Sequence, residues 1–241
     1  SYLLVLTGPL LGYLSLTYTG VWPWALPIYV FVLIPIIEYF SPKSTLNLTK
    51  EEEENALKDS VYDYMLYLML PVQYLLLFYF LFNIDKPDLT YMDIIGRIFT
   101  MGISCVVIGI NVGHELGHRN TWYEQWMSKL LLLSTLYMHF IIEHNRGHHK
   151  RVATKEDPAS ARYGEVLYFF WIRSVVFSFI SAWGLEVKRL EKHSRRWWHP
   201  SNEMFHFIII QLGFIFIVYY FFSYTHAIYF IIAAMIGFLF L

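Results

Sequence analysis

The sequence predicts an all-α membrane protein with six transmembrane helices and a cytoplasmic, histidine-rich metal region. Three observations lead there. Hydrophobic residues make up 56% of the 241 residues and mean hydropathy is +0.42, more than soluble domains carry. They collect in runs close to the roughly 20 residues that a bilayer-crossing helix needs. Five of the ten histidines form two spaced clusters between Asn111 and Ala159, at the edge of such runs.

Taken in order, the expected spans are Tyr2–Gly20, Trp22–Phe40, Tyr62–Phe82, Ile94–Val112, Met204–Phe222 and His226–Leu241. The first two meet at Gly20 and the Trp22-Pro23-Trp24 corner, read as a tight hairpin with interfacial aromatic anchors. Polar residues 46–60, with Glu51 to Glu54 after Thr49, read as a hydrophilic loop, and Ile84–Asp93 as a short loop on the opposite side. Met127–Ile142 is apolar but short for a span, which suits an interfacial or re-entrant helix. A crossing there would also separate the two histidine clusters.

Charge orients and narrows this picture. The net charge is −1, with no basic tract interleaved with stacking aromatics, which argues against nucleic-acid binding. The single cysteine, Cys105, lies in an apolar run and reads as a small buried hydrophobe, so neither an internal disulfide nor a multi-cysteine metal site is expected. Of the 18 Lys and Arg residues, 13 fall in 113–200 and three (Lys43, Lys50, Lys58) in 41–60. Loops facing the cytoplasm collect such residues, so both histidine clusters and the N-terminus are expected there.

The clusters are Asn111-Val-Gly-His114-Glu115-Leu-Gly-His118 and Glu143-His144-Asn145-Arg146-Gly147-His148-His149. Residues four apart share a helix face, so His114 with His118, and His144 with His148, can each point at one metal. His149 would then be turned about 100° away. Neutral imidazole suits Fe, Zn, Cu or Ni, so residue type leaves the metal open. His139, His193, His199, His206 and His226 read as structural or interfacial. His114-Glu115-Leu-Gly-His118 also matches the H-E-x-x-H helix of zinc proteases, with Glu115 as base. The second cluster would be surplus under that reading.

At these residues, and at Val152-Ala-Thr154, Asp157-Pro-Ala159, Ala182-Trp-Gly-Leu-Glu186 and Asn202-Glu203, the chain resembles the integral-membrane, non-haem diiron alkane monooxygenases. These are the bacterial alkane 1-monooxygenases, or alkane ω-hydroxylases, within the membrane desaturase and hydroxylase superfamily. The resemblance implies a site of two Fe ions, with His114, His118, His144, His148 and His149 matching the family's ligands. It implies O2-dependent terminal hydroxylation of alkanes to primary alcohols, with electrons from rubredoxin and its NAD(P)H-dependent reductase. The implied location is the bacterial inner membrane, metal site toward the cytoplasm. Relatives acting on xylene, fatty acids or lipids are the alternative within the enzyme class.

Glu115, Glu143 and Asp157 are candidates for orienting imidazoles, or for pairing with Arg146 or Arg151. Lys150, Arg151 and Lys155 are candidates for docking an acidic redox partner, although attraction to anionic headgroups explains the same charge. The family carries further histidines, in an N-Y-x-E-H-Y-G-like run and a later H-x-x-H-H cluster, that do not occur before Leu241. Residues 1–241 are therefore expected to form a single transmembrane catalytic domain lacking the C-terminal cytoplasmic part.

Overall fold

In the computed structural model, which describes residues 5–42, 49–52 and 59–241, the described residues form helices and no strand. In chain order the helices are α1 (Thr7–Thr17), α2 (Trp22–Phe40), α3 (Ser60–Asn83), α4 (Tyr91–Gly117), α5 (Trp122–Leu133), α6 (140–151), α7 (Leu167–Lys192), α8 (Glu203–Phe221) and α9 (Tyr224–Leu239). Five of these, α2, α3, α4, α7 and α8, are long and apolar enough to cross a membrane. The large side chains on their outer faces are apolar: Ile37 is 60% exposed, Ile172 66%, Ile209 66% and Leu212 61%. Water would penalise such faces, whereas lipid solvates them.

Helix starts follow local chemistry. Asp59 accepts from the Val61 amide at 3.0 Å and Asn202 from the Met204 amide at 2.9 Å, opening α3 and α8. At α4, Thr90 and Asp93 form a reciprocal capping box. Thr49 and Glu52 bond in the same reciprocal way, and Lys50 to Glu52 are helical. The loop expected there is thus a helix start, because the box satisfies first-turn amides. Glu53, Glu54 and Lys58, together with Lys43, lie outside the described residues.

α4 is the axis of the molecule and packs against α1, α3 and α9. Its crossing with α9 is made at two glycines: a Cβ on Gly237 would lie 2.6 Å from Cys105 Cβ, and one on Gly102 would strike Ile236. Small residues at such crossings let helices approach closely without a hydrophobic force between them. One end of α4 gathers the C-termini of α1 and α3 around the buried Arg97, which donates to Asn83 O at 2.6 Å and Tyr18 O at 3.2 Å. The other end carries the first histidine cluster.

The expected spans are reproduced in part. α1 is only 11 residues long and α9 only 16, while α7 meets the length and composition of a span that the expected six omitted. Its sequence disguises it, because Arg173, Glu186, Lys188 and Arg189 interrupt the apolar run. Arg173 is neutralised by Glu165 at 2.6 Å, and Glu186 by Arg146 and Arg189. α7 is tethered to the histidine end at two points: Arg173 bonds the carbonyl of Ser160, and Glu186 bonds Arg146. The run Met127–Ile142 is broken by a turn at 134–139, with Leu136 at φ 54°. Neither half is long enough to span, as expected. Asp63 near the start of α3 reaches Arg119 at 3.3 Å, so the start of α3 lies at the histidine end of the bundle.

Candidate metal centre

α4 delivers His114 in its last turn and His118 as its C-cap residue. The helix places their rings edge to face at 4.5 Å, with Nε2 atoms 2.8 Å apart. Gly113 and Gly117 allow α5 to lie close beside them: Ser128 Oγ donates to Gly113 O, and a Cβ on Gly117 would meet that hydroxyl at 3.0 Å.

The second cluster departs from a regular helix. His144–His148 form a single π-helical turn within α6, and this wider i→i+5 spacing brings the residue five positions on back to the same face. His144 therefore pairs with His149, their Nε2 atoms 3.0 Å apart, rather than with His148 as a 3.6-residue period predicts. His148 stands beside the group with its Nδ1 on Asp157 Oδ2 at 2.9 Å. The sequence offered no sign of the π turn.

The four remaining rings, His114, His118, His144 and His149, bring their ligand atoms within 4.8 Å of one another. Contacts of 2.8, 2.7 and 3.0 Å link Nε2 atoms in the order His118, His114, His144, His149. Each Nε2 offers either one hydrogen or one lone pair, so only alternate contacts in this chain can be good hydrogen bonds. The middle contact, His114 to His144, is then left unsatisfied. Four neutral imidazoles around one metal ion resolve this, since every Nε2 then points a lone pair inward. Burial, reinforced by the charge His114 would carry, pushes His144 down to about 3, and burial likewise lowers His118. Both rings are thereby held neutral, the form that binds metal.

The remaining candidates divide clearly. Asp157 is fully buried and also bonds Ser160 Oγ at 2.6 Å and the Ala159 amide at 3.0 Å, so its grip on His148 is fixed from behind. Glu143 holds Arg151 at 2.9 Å and accepts from Ser181 Oγ at 2.7 Å. Its burial still raises its pKa against the pull of Ser181 and Arg151. Glu115 pairs with Arg119 at 3.2 Å, which does not place it as a metal-bound water's base. Lys150 and Lys155 are exposed, whereas Arg151 is occupied by Glu143 and Ser181. His139 is buried, and burial lowers it to about 4. Arg146, expected as a partner of Glu115, Glu143 or Asp157, pairs instead with Glu186 and Glu203, to which the sequence assigned no role. The only signal for them was their position in the family-like motifs.

Beside the metal group opens a cavity of about 680 Å³ lined by His114, His144, His148, Tyr137, Phe140, Leu167, Phe170 and Trp171, with Phe238 to Leu241 of α9 and beyond. No Lys or Arg is among its described lining residues.

The chain is 32% identical over 206 residues to an alkane 1-monooxygenase of Alcanivorax borkumensis, covering 85% of this chain and 51% of the relative. It is 34% identical over 179 residues to the alkane 1-monooxygenase of Ectopseudomonas oleovorans, covering 74% and 44%. Against the hydroxylase component of a xylene/toluene monooxygenase from Pseudomonas putida, identity is 25% over 207 residues, covering 84% and 53%. The chain spans about half the length of the curated relatives it matches. The fatty acid desaturase family model matches residues 92–241, from the first turn of α4 through both histidine clusters, and the chain belongs to that family.

Proposed function

We propose that this chain is the membrane-embedded part of a diiron alkane hydroxylase, which converts an alkane to its primary alcohol with O2 and electrons from rubredoxin. The observation that carries this reading is the joining of a four-imidazole cluster to a largely apolar cavity whose described lining holds no Lys or Arg. His114, His118, His144 and His149 would hold one iron. His148, whose Nδ1–H donates to Asp157 and whose Nε2 thereby keeps its lone pair, would serve a second. Iron held there supplies the activation of O2.

The chain's own residues do the rest. Tyr137, Phe140, Phe170 and Trp171 form walls that hold a substrate without polar handles by shape and exclude water. Asp157 keeps a proton on Nδ1 of His148 and so fixes its tautomer. A fatty acid fits less well, because its carboxylate would meet no Lys or Arg in the cavity and would lie near Glu143. The alcohol product gains Ser174, Ser178 and Asn111 as hydrogen-bonding neighbours that the alkane does not use.

On this reading the metal face is cytoplasmic, and Lys150 and Lys155 steer an acidic rubredoxin. Membranes containing the full-length protein, supplied with rubredoxin, its reductase and NADH, should convert octane to 1-octanol with an atom of 18O from 18O2. The purified protein should carry two irons. Chelator-sensitive peptide cleavage without O2 would instead support a zinc protease built on His114, Glu115 and His118. Reversing Lys150 and Lys155 together should slow rubredoxin oxidation several-fold at low salt and leave iron content unchanged; equal rates at all ionic strengths would remove the docking role.

A further inference from the structure

The motifs around Glu186 and Glu203 are unexplained by metal ligation, yet the fold brings both to one residue of the histidine turn. Arg146 lies between His144 and His148. Its Nη1 donates to Glu186 Oε2 at 3.0 Å and its Nη2 to Glu203 Oε2 at 3.0 Å. Glu186 is fully buried and accepts two further bonds from Arg189, at 2.8 and 2.6 Å, and one from the Glu203 amide at 2.8 Å. Glu203 also holds Lys129 of α5 at 3.1 Å. Arg189 Nη2 bonds Ser201 O at 2.7 Å and secures the turn that leads into α8. Four helices, α5 to α8, thus converge on one guanidinium.

The turn it grips is the π turn. A π turn has no strong preference of its own and persists where surroundings hold it. Here the surroundings hold it on both flanks of Arg146: Asn145 Nδ2 bonds Gly117 O at 3.0 Å, and Arg151 Nη2 bonds Glu143 at 2.9 Å. If the turn tightened to ordinary α-helix, His148, whose ring already stacks against His144 at 5.3 Å, would keep to that face and His149 would rotate out, since residues four apart then share a face.

We infer that Glu186 and Glu203 are positioning residues that, through Arg146, keep this turn wide and so select His149 rather than His148 as the fourth nitrogen of the cluster. The inference rests on the metal-centre reading above. A guanidinium is suited to this task, because two N–H groups bonded to two separate carboxylates fix its orientation as a single point charge would not.

The test is a double-mutant cycle read by cobalt(II) binding to metal-free, full-length protein in nanodiscs, with Arg146→Gln, His149→Ala and the double variant. Arg146→Gln alone is expected to weaken cobalt binding by about 10- to 100-fold and to shift its visible absorption bands. His149→Ala should weaken binding in the parent and have little further effect in Arg146→Gln, because His149 has already left the site. Additive effects, or an unchanged spectrum in Arg146→Gln, would overturn the inference. Should Arg146→Gln not fold, Glu203→Gln removes one of its two carboxylates and leaves Glu186 paired with Arg189, and the same cycle is run on it. Lys188→Gln, at an exposed side chain of α7 outside this ion-pair group, should leave cobalt affinity unaltered. Failure of the parent to bind cobalt would reject the metal centre itself, an outcome separate from additivity.

Discussion

The two ends of α4 solve the problem of polar groups in a lipid environment in opposite ways. At the Thr90 end, Arg97 is 1% exposed, yet it faces the carbonyls that α1 and α3 leave unbonded where they end. Asp93 receives Thr90 and the Gly20 amide. Donors meet acceptors, and of this group only Arg97 Nε is left without a partner among the described residues. At the His114 end, like meets like: ring nitrogens of one kind face one another at 2.7 to 3.0 Å. A closed polar set is structure, while a set that cannot close within the protein calls for a ligand. That distinction, rather than the mere presence of ionisable residues, separates a clamp from a site.

The contrast can be broken at each end. The largest expected effect is at the ligands: His144→Ala, which removes the nitrogen at the centre of the chain of contacts, should lower alkane hydroxylation more than a hundredfold, beyond what loss of an outer partner costs. Iron content should fall with it, while the detergent-solubilised protein keeps its helical circular dichroism. Retained iron at wild-type stoichiometry would show that the cluster is not the binding group.

Arg97→Met should do the reverse. Leaving the carbonyls of Tyr18 and Asn83 without their donor is expected to destabilise the fold by about 3 kcal/mol, seen as a lower midpoint in thermal unfolding. The fraction that stays folded should bind metal with native affinity. Weakened metal binding in that fraction would mean that the two ends are coupled and not independent.

Asp157→Asn is the smallest and sharpest change. The amide keeps the size but can donate toward His148 Nδ1, which favours the tautomer with its hydrogen on Nε2. Affinity for the second metal should fall by about tenfold, with stability and the first metal unaffected. Metal titration by calorimetry would separate the two sites. Equal loss at both would assign Asp157 a general structural role.

Much of this was legible in the sequence. Runs of apolar residues are local signals, and hydropathy fixes what they do; the caps at Asp59, Thr90 and Asn202 are equally local but do not figure among the expectations. Histidine identity and approximate grouping are likewise written in the spacing of His114, His118, His144, His148 and His149. Two features lay beyond the sequence for the same reason. α7 escaped notice because its charges look prohibitive until Glu165, Arg146 and Arg189 neutralise them from elsewhere in the fold. The choice of His149 over His148 escaped because a period of 3.6 assumes a regular helix.

By itself, then, the sequence determined the helical membrane class, the helix caps and the residues able to bind metal, since each depends on hydropathy, hydrogen bonding or donor chemistry within a few positions. Only the tertiary structure decided which four histidines converge, which carboxylate takes which cation, and where the apolar cavity opens. Those depend on contacts between residues tens of positions apart, such as Arg146 with Glu186 and Glu203, and on a π turn held by its neighbours rather than by its own sequence.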